Sequence, residues 1–260
     1  MIDIHSHMIY GADKGPKTLR DSLEMAKAAH HAGFTSVVCT PGYLEGSKNL
    51  NSLEENKIAF RDIRKALDNS NGAPELYLGS EIYYDLNTVE ALEEKKALSL
   101  GGSKYVLVKI PSKRMHFPNL LNYVFELEIA GYSIILSNPE RCDFILENPN
   151  HLASLIKRDV LIQMNLFSIS GVYGNGVEKT VKTMLDHNMV HIAATDARSV
   201  RDYDDASKAL KQLERHVGKD LLEELVFTNP KAIISNEILY PQDPLKVKKK
   251  GLLSLIKGIG

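Results

Sequence analysis

The sequence has little of several features that mark large classes of protein. Its 260 residues include two cysteines, Cys39 and Cys142, and no tryptophan. Two cysteines are too few for a disulfide framework, and a reducing cytoplasm is the expected environment. No apolar run approaches the ~18 residues that a membrane-spanning helix needs. The first residues, MIDIHSHMIY, have no basic region followed by an apolar stretch, so a cleavable signal peptide is not expected.

The chain also has no excess of charge of either sign. The formal net charge is −1, with 25% charged and 43% hydrophobic residues. This balance excludes a broadly basic chain, and we expect no nucleic-acid partner. The phosphate-binding segments GxxxxGKS, GxxxxGKT and GxGxxG do not occur. Neither cysteine has an arginine six residues later, so the phosphate loop of cysteine-dependent phosphatases is absent.

Seven short apolar runs, rich in β-branched residues, recur along the chain. Most are continuously apolar, a pattern typical of parallel strands that are buried on both faces. The runs begin at Ile2, Ser36, Glu75, Tyr105, Ser133, Val160 and His191. Helical patterns lie between them, one of them opened by a capping box of Ser52 and Glu55. We predict an α/β domain over residues 1–240 that forms a seven-stranded (β/α) barrel rather than an open sheet.

Residues 241–260 differ in composition from the rest of the chain. Residues 244–260 contain five lysines and no acidic residue, and their leucines and isoleucines follow helical spacing. This pattern predicts a basic amphipathic tail that contacts an anionic membrane surface. It would place a cytoplasmic protein peripherally at the inner face of the membrane. The alternative is a frayed terminus without a partner.

Four residues with metal-binding side chains lie where the strands of a barrel would converge. Reactive groups of βα barrels gather at the carboxyl ends of the strands. His5 and His7 end the first run on one face, Glu81 interrupts the third, and Asp196 ends the seventh. Two imidazoles and two carboxylates predict a site for Mn, Fe or Zn. The alternative, four unrelated polar residues, would leave costly unpaired charges in buried strands.

Cationic residues are predicted at the same mouth. They are Lys14, Lys109, Arg141 and Arg198. Such a set favours an anion such as phosphate, which Arg141 could bind through two parallel hydrogen bonds. The alternative is a structural ion-pair network in which Lys109 neutralises Glu81 and Asp196.

Five segments carry a resemblance to a known family. In order, they are MIDIHSHMIYGADKGP, GSEIYYD, NPER, TDA and TNPKAII. Together they resemble the polymerase-and-histidinol-phosphatase (PHP) superfamily over roughly residues 1–236. Within it they are most similar to the manganese-dependent protein-tyrosine phosphatases of bacterial capsule and exopolysaccharide operons. The resemblance implies a distorted seven-stranded βα barrel with a trinuclear metal centre. It also implies a partner, a membrane-associated tyrosine kinase whose tyrosine-rich tail is the substrate.

The resemblance assigns the site residues unevenly. The first metal position of the family matches His5, His7, Glu81 and Asp196, and the family's phosphate-binding arginine matches Arg141. At the second position, a further glutamate and a histidine are replaced by Lys109 and Asn138. At the third, an aspartate and two histidines are replaced by Lys14, Gly42 and Arg198.

These five substitutions lead to a specific expectation. Three of them are cations, which could supply the positive charge of absent metal ions but could not generate hydroxide from water. We therefore expect a phosphatase homologue with at most one Mn (or Fe or Zn) ion, weak or absent activity, and a role as a phosphotyrosine-binding regulator. One alternative is an active one-metal phosphatase that uses Lys109, Arg141 and Arg198 for charge stabilisation. Another is a metal-free structural pseudoenzyme in which Lys109 pairs with Glu81.

Overall fold

The seven predicted runs all contain strands. A computed structural model of the protein describes residues 1–68, 72–113 and 117–248. The strands are β1 (Ile2–Ser6), β2 (Ser36–Cys39), β3 (Gly42–Tyr43), β4 (Glu75–Leu78), β5 (Glu81–Tyr83), β6 (Tyr105–Lys109), β7 (Ser133–Ser137), β8 (Leu161–Asn165) and β9 (Ile192–Ala194).

The described residues form nine strands rather than seven because two runs are interrupted. Pro41 separates β2 from β3, since proline has no N–H to donate to a neighbouring strand. Gly79 lies at the break between β4 and β5, where a Cβ atom would come within 2.9 Å of the Leu100 side chain. Hydrogen bonds from Gly79 N to Cys39 O (2.9 Å) and from Glu81 N to Pro41 O (3.1 Å) keep the breaks side by side. At both breaks, the chain passes from one sheet to the other.

The strands pair in parallel in two sheets. One sheet has the order β1-β2-β4 and the other the order β3-β5-β6-β7-β8-β9. A parallel bridge between Ser6 and Ala197 joins them. The buried Asp3 carboxylate supports this junction by accepting hydrogen bonds from Thr195 N (3.1 Å) and the Tyr203 hydroxyl (2.9 Å). The chain is thus an α/β protein with parallel sheets, as predicted, and the carboxyl ends of its strands lie on one side.

Helices connect the strands. They are α1 (Leu19–His31), α2 (Leu53–Leu67), α3 (Thr88–Glu93), α4 (Phe117–Ile129), α5 (Asp143–Glu147), α6 (Asn150–Ile156), α7 (Asn175–Leu185), α8 (Val200–Val217), α9 (Lys219–Glu223) and α10 (Asn229–Ile234). The predicted capping box is present, because Ser52 N donates to Glu55 Oε2 (2.7 Å) and Glu55 N to Ser52 Oγ (3.4 Å). It satisfies N–H groups that the first turn of α2 would otherwise leave without partners.

Both faces of the sheets are buried, which explains the continuously apolar runs. Along β6, Val106 and Val108 belong to the large core between strands and helices. Tyr105 and Leu107, on the opposite face, belong to a second cluster enclosed by the strands. A strand with core on both faces needs no polar alternation. Polar residues within such strands are therefore informative about the site.

The first part of the predicted tail lies on the surface of the domain. Leu245 N donates to His187 O (2.9 Å), and Val247 N donates to Asn150 Oδ1 (2.9 Å). The Asn150 side chain in turn donates to Val247 O (3.0 Å). The rest of the predicted tail, residues 249–260, lies outside the described residues. Among the helices that the structure describes, none combines the length and the apolar character needed to cross a bilayer.

Candidate functional site

The four predicted metal ligands meet at the carboxyl ends of the strands. His5 and Glu81 are fully buried, His7 is 1% exposed and Asp196 is 8% exposed. Asp196 lines a cavity of about 720 Å³ that is open to solvent. His5 and His7 lie within 3.6 Å of Asp196, and Glu81 lies within 3.6 Å of both imidazoles. Four polar residues linked by such contacts form a compact site rather than four separate core positions.

The ligand atoms have the spacing of a single ion's coordination shell. His5 Nε2 lies 3.3 Å from Glu81 Oε1 and 3.6 Å from Asp196 Oδ1. His7 Nε2 lies 3.1 Å from Asp196 Oδ1 and 3.6 Å from Glu81 Oε2. Atoms that bind one ion at ~2.1 Å are separated by ~3.0–3.4 Å. Among the described residues, one group of possible ligand side chains has atoms that all lie within 4.8 Å of one another, namely His5, His7 and Glu81.

The orientation of His5 favours a metal ligand. Gln163 Nε2 donates to Asn138 Oδ1 (2.9 Å), so its Oε1 atom accepts from His5 Nδ1 (2.9 Å). His5 therefore carries its hydrogen on Nδ1 and directs the lone pair of Nε2 towards the carboxylates. That buried Nε2 has no hydrogen-bond partner among the described residues. An unpartnered lone pair beside two carboxylates fits a cation, and the donor set fits Mn, Fe or Zn.

The Asp13 carboxylate orients the imidazole of His7. Its Oδ2 atom lies 2.5 Å from His7 Nδ1 and accepts from Gly42 N (3.1 Å), while Oδ1 accepts from Gly15 N (2.9 Å). The loop is tight, because a Cβ atom at Gly15 would lie 2.2 Å from His7 O. Carboxylate–histidine pairs of this kind orient imidazole ligands. This role of Asp13 was not predicted, because no spacing pattern in the sequence signals it.

The neighbours of His7 favour opposite protonation states. Burial lowers its pKa, but hydrogen bonds to Asp13 and Asp196 outweigh burial and raise the pKa to about 9. A guanidinium nitrogen of Arg198, however, lies 2.8 Å from His7 Nε2. Since a guanidinium can only donate, this contact requires an unprotonated Nε2. We assign the neutral ring to this arrangement, because two N–H groups facing each other at 2.8 Å would repel.

Lys109 neutralises Glu81. Its Nζ atom lies 3.0 and 3.1 Å from the two carboxylate oxygens, and the Ser137 hydroxyl donates to Oε1 (3.0 Å). Burial raises the pKa of Glu81, but His5 and His7, when they are protonated, and Lys109 lower it well below its usual range. Burial likewise lowers the pKa of Lys109, but the carboxylates of Glu81 and Asp196 outweigh burial and raise the pKa above its ordinary value. The ammonium group thus stays charged beside a buried carboxylate.

Arg198 and Asn138 donate hydrogen bonds to the carboxylate of Asp196. The Arg198 guanidinium donates to Asp196 Oδ1 (2.8 Å), and Asn138 Nδ2 donates to Oδ2 (2.9 Å). Burial raises the pKa of Asp196, but His5 and His7, when they are protonated, and Arg198 lower it well below its usual range. Asn138 and Asp196 both adopt left-handed backbone, with φ of 51° and 52°. Such strain, when it persists in buried residues, typically accompanies a functional site.

The other two predicted cations lie at the entrance. Lys14 is exposed and lines the cavity. Arg141 is 38% exposed, lies 3.7 Å from Asp196 Oδ2, and stacks 4.1 Å from the centre of the Tyr173 ring. Tyr173 belongs to the segment GVYGNG between β8 and α7. This segment thus supplies the ring that supports Arg141, a role that was not predicted from the sequence.

Comparison with known proteins places this site in a family. Residues 1–235 match the family model described as "Capsular polysaccharide synthesis, CpsB/CapC". The chain is 31% identical to the putative tyrosine-protein phosphatase CapC of Staphylococcus aureus, over 96% of this chain and 97% of that one. It is 28% identical to the tyrosine-protein phosphatase YwqE of Bacillus subtilis, over 97% of this chain and 98% of that one.

Solved structures agree with the sequence relatives. The chain matches a protein from crystal structures of YwqE of Bacillus subtilis and CpsB of Streptococcus pneumoniae, described as unique metal-dependent tyrosine phosphatases. The TM-score is 0.86 at 28% identity, with 96% of this chain and all of that chain covered. A phosphotriesterase from Mycobacterium tuberculosis has a TM-score of 0.56 at 12% identity, which is a likeness of fold alone. By family model, sequence and fold, the chain belongs to the CpsB/CapC family of capsular polysaccharide synthesis proteins, which has the PHP-type fold.

Proposed function

We propose that this chain recognises phosphotyrosine at the mouth of the site and hydrolyses it weakly or not at all. The observation that carries the proposal is the position of two fixed cations. Lys109 lies within 3.1 Å of both oxygens of Glu81, and Arg198 lies 2.8 Å from both Asp196 Oδ1 and His7 Nε2. These cations interact with the carboxylate oxygens and the imidazole nitrogen to which the family resemblance assigns metal ions.

The roles of the remaining residues follow from their charges. His5, His7, Glu81 and Asp196 would hold one Mn, Fe or Zn ion, provided that Arg198 leaves His7 Nε2. Such an ion supplies a Lewis acid and lowers the pKa of bound water. Lys14, Lys109, Arg141 and Arg198 would bind the phosphoryl oxygens, and Arg141 is placed to bind two of them. Cations stabilise the charge of a phosphoryl group but do not produce a nucleophile, so binding is expected to exceed turnover.

The distorted seven-stranded barrel is part of the proposal. The Ser6–Ala197 bridge supports a closed arrangement, as does the hydrogen bond from His7 N to Ala197 O (2.8 Å). If β2 and β3 are counted as one position, and β4 and β5 as another, the closed arrangement has seven strand positions. Closure matters to the function because it brings the first and last strands, and hence His5 and Asp196, to one metal position.

The proposed partner is a tyrosine kinase of polysaccharide synthesis, through its phosphotyrosine-bearing segment. The relatives named as tyrosine-protein phosphatases and the capsular family model support this choice. We propose a cytoplasmic location in which residues 241–260 contact the inner face of the membrane. Removal of residues 249–260 should then abolish co-sedimentation with vesicles that contain anionic phospholipid but leave the behaviour with neutral vesicles unchanged. Equal sedimentation of both chains with anionic vesicles would refute the tail's role.

Turnover and binding must be measured separately to test the central proposal. The metal-stripped chain should bind a phosphotyrosine peptide in calorimetry, and added Mn²⁺ should give little hydrolysis. Robust Mn²⁺-dependent turnover, lost in His5→Ala, would instead establish the one-metal phosphatase, which the unpartnered Nε2 of His5 favours. Absence of both binding and stoichiometric metal would establish the structural pseudoenzyme, which the Lys109–Glu81 pair favours.

A double variant sharpens this test. Lys109→Glu with Asn138→His returns to the chain the two residue types that the resemblance implies at the second metal position. We expect this variant to bind more Mn²⁺ per chain than the parent, as measured by elemental analysis, and to gain phosphatase activity. Asn119→His with Lys208→Glu, on helices α4 and α8, introduces the same residue types away from the site and should change neither quantity.

A further inference from the structure

A second cavity adjoins the mouth of the site. Its volume is about 450 Å³, and three of its lining residues, Tyr83, Lys109 and Arg141, also line the larger cavity. The two cavities thus share a wall that carries two of the four cations. Apart from these shared residues, the lining of the smaller cavity includes the largely apolar side chains of Leu44, Tyr84, Ile110 and Pro111.

Two polar side chains that line this smaller cavity, Ser137 and Asn138, are already engaged. The Ser137 hydroxyl donates to Glu81, and the Asn138 side chain bonds to Asp196 and Gln163. Cys142 also lines the cavity, and burial raises the pKa of its thiol to about 12, so it offers no thiolate. The surface that remains for a ligand is largely apolar, apart from the hydroxyl groups of Ser112 and Tyr84 and the residues of the shared wall.

We propose that this smaller cavity holds the aromatic ring of the phosphotyrosine while its phosphoryl group lies at the shared wall, between Lys109 and Arg141. The proposal rests on the function proposed above and extends it to an aryl subsite. An aryl phosphate has a dianionic end and a flat apolar end, and the two cavities offer cations and apolar walls in the same order. An alkyl phosphate would leave the apolar surface of Leu44, Ile110 and Pro111 in contact with water.

The other occupant to be tested is a side chain next to the phosphotyrosine in the same peptide. Two phosphonates that cannot be hydrolysed distinguish the occupants without any peptide. Calorimetry on the full, metal-stripped chain should find phenylphosphonate binding at least about tenfold tighter than ethylphosphonate, because only the phenyl ring buries apolar area in the cavity. Equal affinities would overturn the aryl subsite and leave the phosphate site intact. If neither phosphonate nor inorganic phosphate binds, the proposed function fails with it.

Variants at exposed positions test the location of the ring. Ser112 lines the cavity and is exposed, so Ser112→Trp should fill the space without disturbing the core. It should abolish the preference for phenylphosphonate while leaving ethylphosphonate and phosphate affinities within about twofold. Leu44→Asn, at a side chain that is 38% exposed, should reduce the preference about threefold.

The matched control is Ile129→Asn, at a residue of α4 that is 70% exposed and lines neither cavity. It should leave all three affinities unchanged. An undiminished phenyl preference in Ser112→Trp would place the ring elsewhere and overturn the proposal.

Discussion

Buried titratable side chains at the two ends of the strands differ in their charge state. At the carboxyl ends, Glu81 and Asp196 are buried, yet the cations beside them keep both ionised. At the amino end of β9, His191 is 7% exposed, and burial lowers its pKa to about 4. The structure gives His191 a backbone donor, Ile162 N at 2.9 Å, but no ion pair among the described residues. Burial opposes the charged form in both places, but adjacent counter-charges outweigh it at the carboxylates, whereas at His191 it acts alone.

This contrast explains what the substitutions at the site accomplish. A cluster of buried carboxylates requires positive charge, because unpaired ions in the interior are strongly disfavoured. Related proteins are described as metal-dependent tyrosine phosphatases. Under the function proposed above, Lys109 and Arg198 supply this positive charge in place of metal ions.

The largest expected effect comes from breaking the charge pair at the carboxyl ends. Lys109→Met should lower the free energy of unfolding by about 3–5 kcal/mol, because Glu81 stays buried without its ammonium partner. Adding Glu81→Gln should recover a large part of the loss, as measured by urea denaturation. Lys208→Met, at an exposed position of α8, should change stability by less than about 0.5 kcal/mol. If single and double variants lose equal stability, the two side chains are not energetically coupled.

Acid should lower the free energy of unfolding through protonation of His191. Its pKa is lowered from 6.5 to about 4 in the folded chain. The unfolded chain therefore binds a proton that the folded chain does not bind, and stability present above pH 6.5 is lost as the pH falls towards 4. The contribution is about 3 kcal/mol. His191→Gln, whose amide can still accept from Ile162 N, should reduce the slope of unfolding free energy against pH in that interval.

The control for this experiment is His30→Gln, which removes an exposed imidazole of α1. Its pH profile should follow that of the parent chain. A His191→Gln profile identical to the parent would show that the neutral buried imidazole does not determine acid stability.

Removal of a cation from the mouth should weaken anion binding. Arg198→Ala should reduce affinity for inorganic phosphate about tenfold to a hundredfold, since a charge-assisted hydrogen bond contributes about 1.5–3 kcal/mol. Isothermal titration at fixed ionic strength would measure the loss. Arg201→Ala removes the same charge at a side chain that is 89% exposed and should have little effect. Equal losses in the two variants would mean that net charge, rather than the placement of Arg198, governs binding.

The smallest effect is expected at Tyr173, which supports Arg141 without lying among the cations. Tyr173→Leu should weaken phosphate binding about twofold to fivefold, because a stacked cation–π contact contributes about 0.5–1 kcal/mol. Tyr240→Leu, at a residue that is 75% exposed, serves as the matched control for the same titration. Unchanged affinity in Tyr173→Leu would indicate that the ring does not position the guanidinium.

Much of the fold could be predicted from the sequence because burial on both faces leaves a strong pattern. The apolar runs and the Ser52–Glu55 capping box are local signals, and the structure contains strands and a helix there. The interruption at Gly79 and the short strand β3 were not predicted. They depend on how two distant segments pack side by side, and the pattern of apolar residues in a sequence does not predict that contact.

The site could be predicted in part for the same reason. His5, Glu81 and Asp196 interrupt or end apolar runs, and the parallel topology brings the ends of those runs together. Gln163 and Asp13 were missed, because their importance comes from hydrogen bonds to the two imidazoles rather than from their spacing. Residues that orient a ligand through side-chain contacts leave no periodic signal in a single sequence.

The most direct test of the central claim is a phosphate titration with and without metal. If Lys109 and Arg198 take the place of metal ions, the metal-stripped chain should bind inorganic phosphate in the presence of EDTA. Added Mn²⁺ should then change the dissociation constant by less than about tenfold. Binding that appears only when Mn²⁺ is added would contradict the account and would show that metal ions, rather than these two side chains, supply the positive charge.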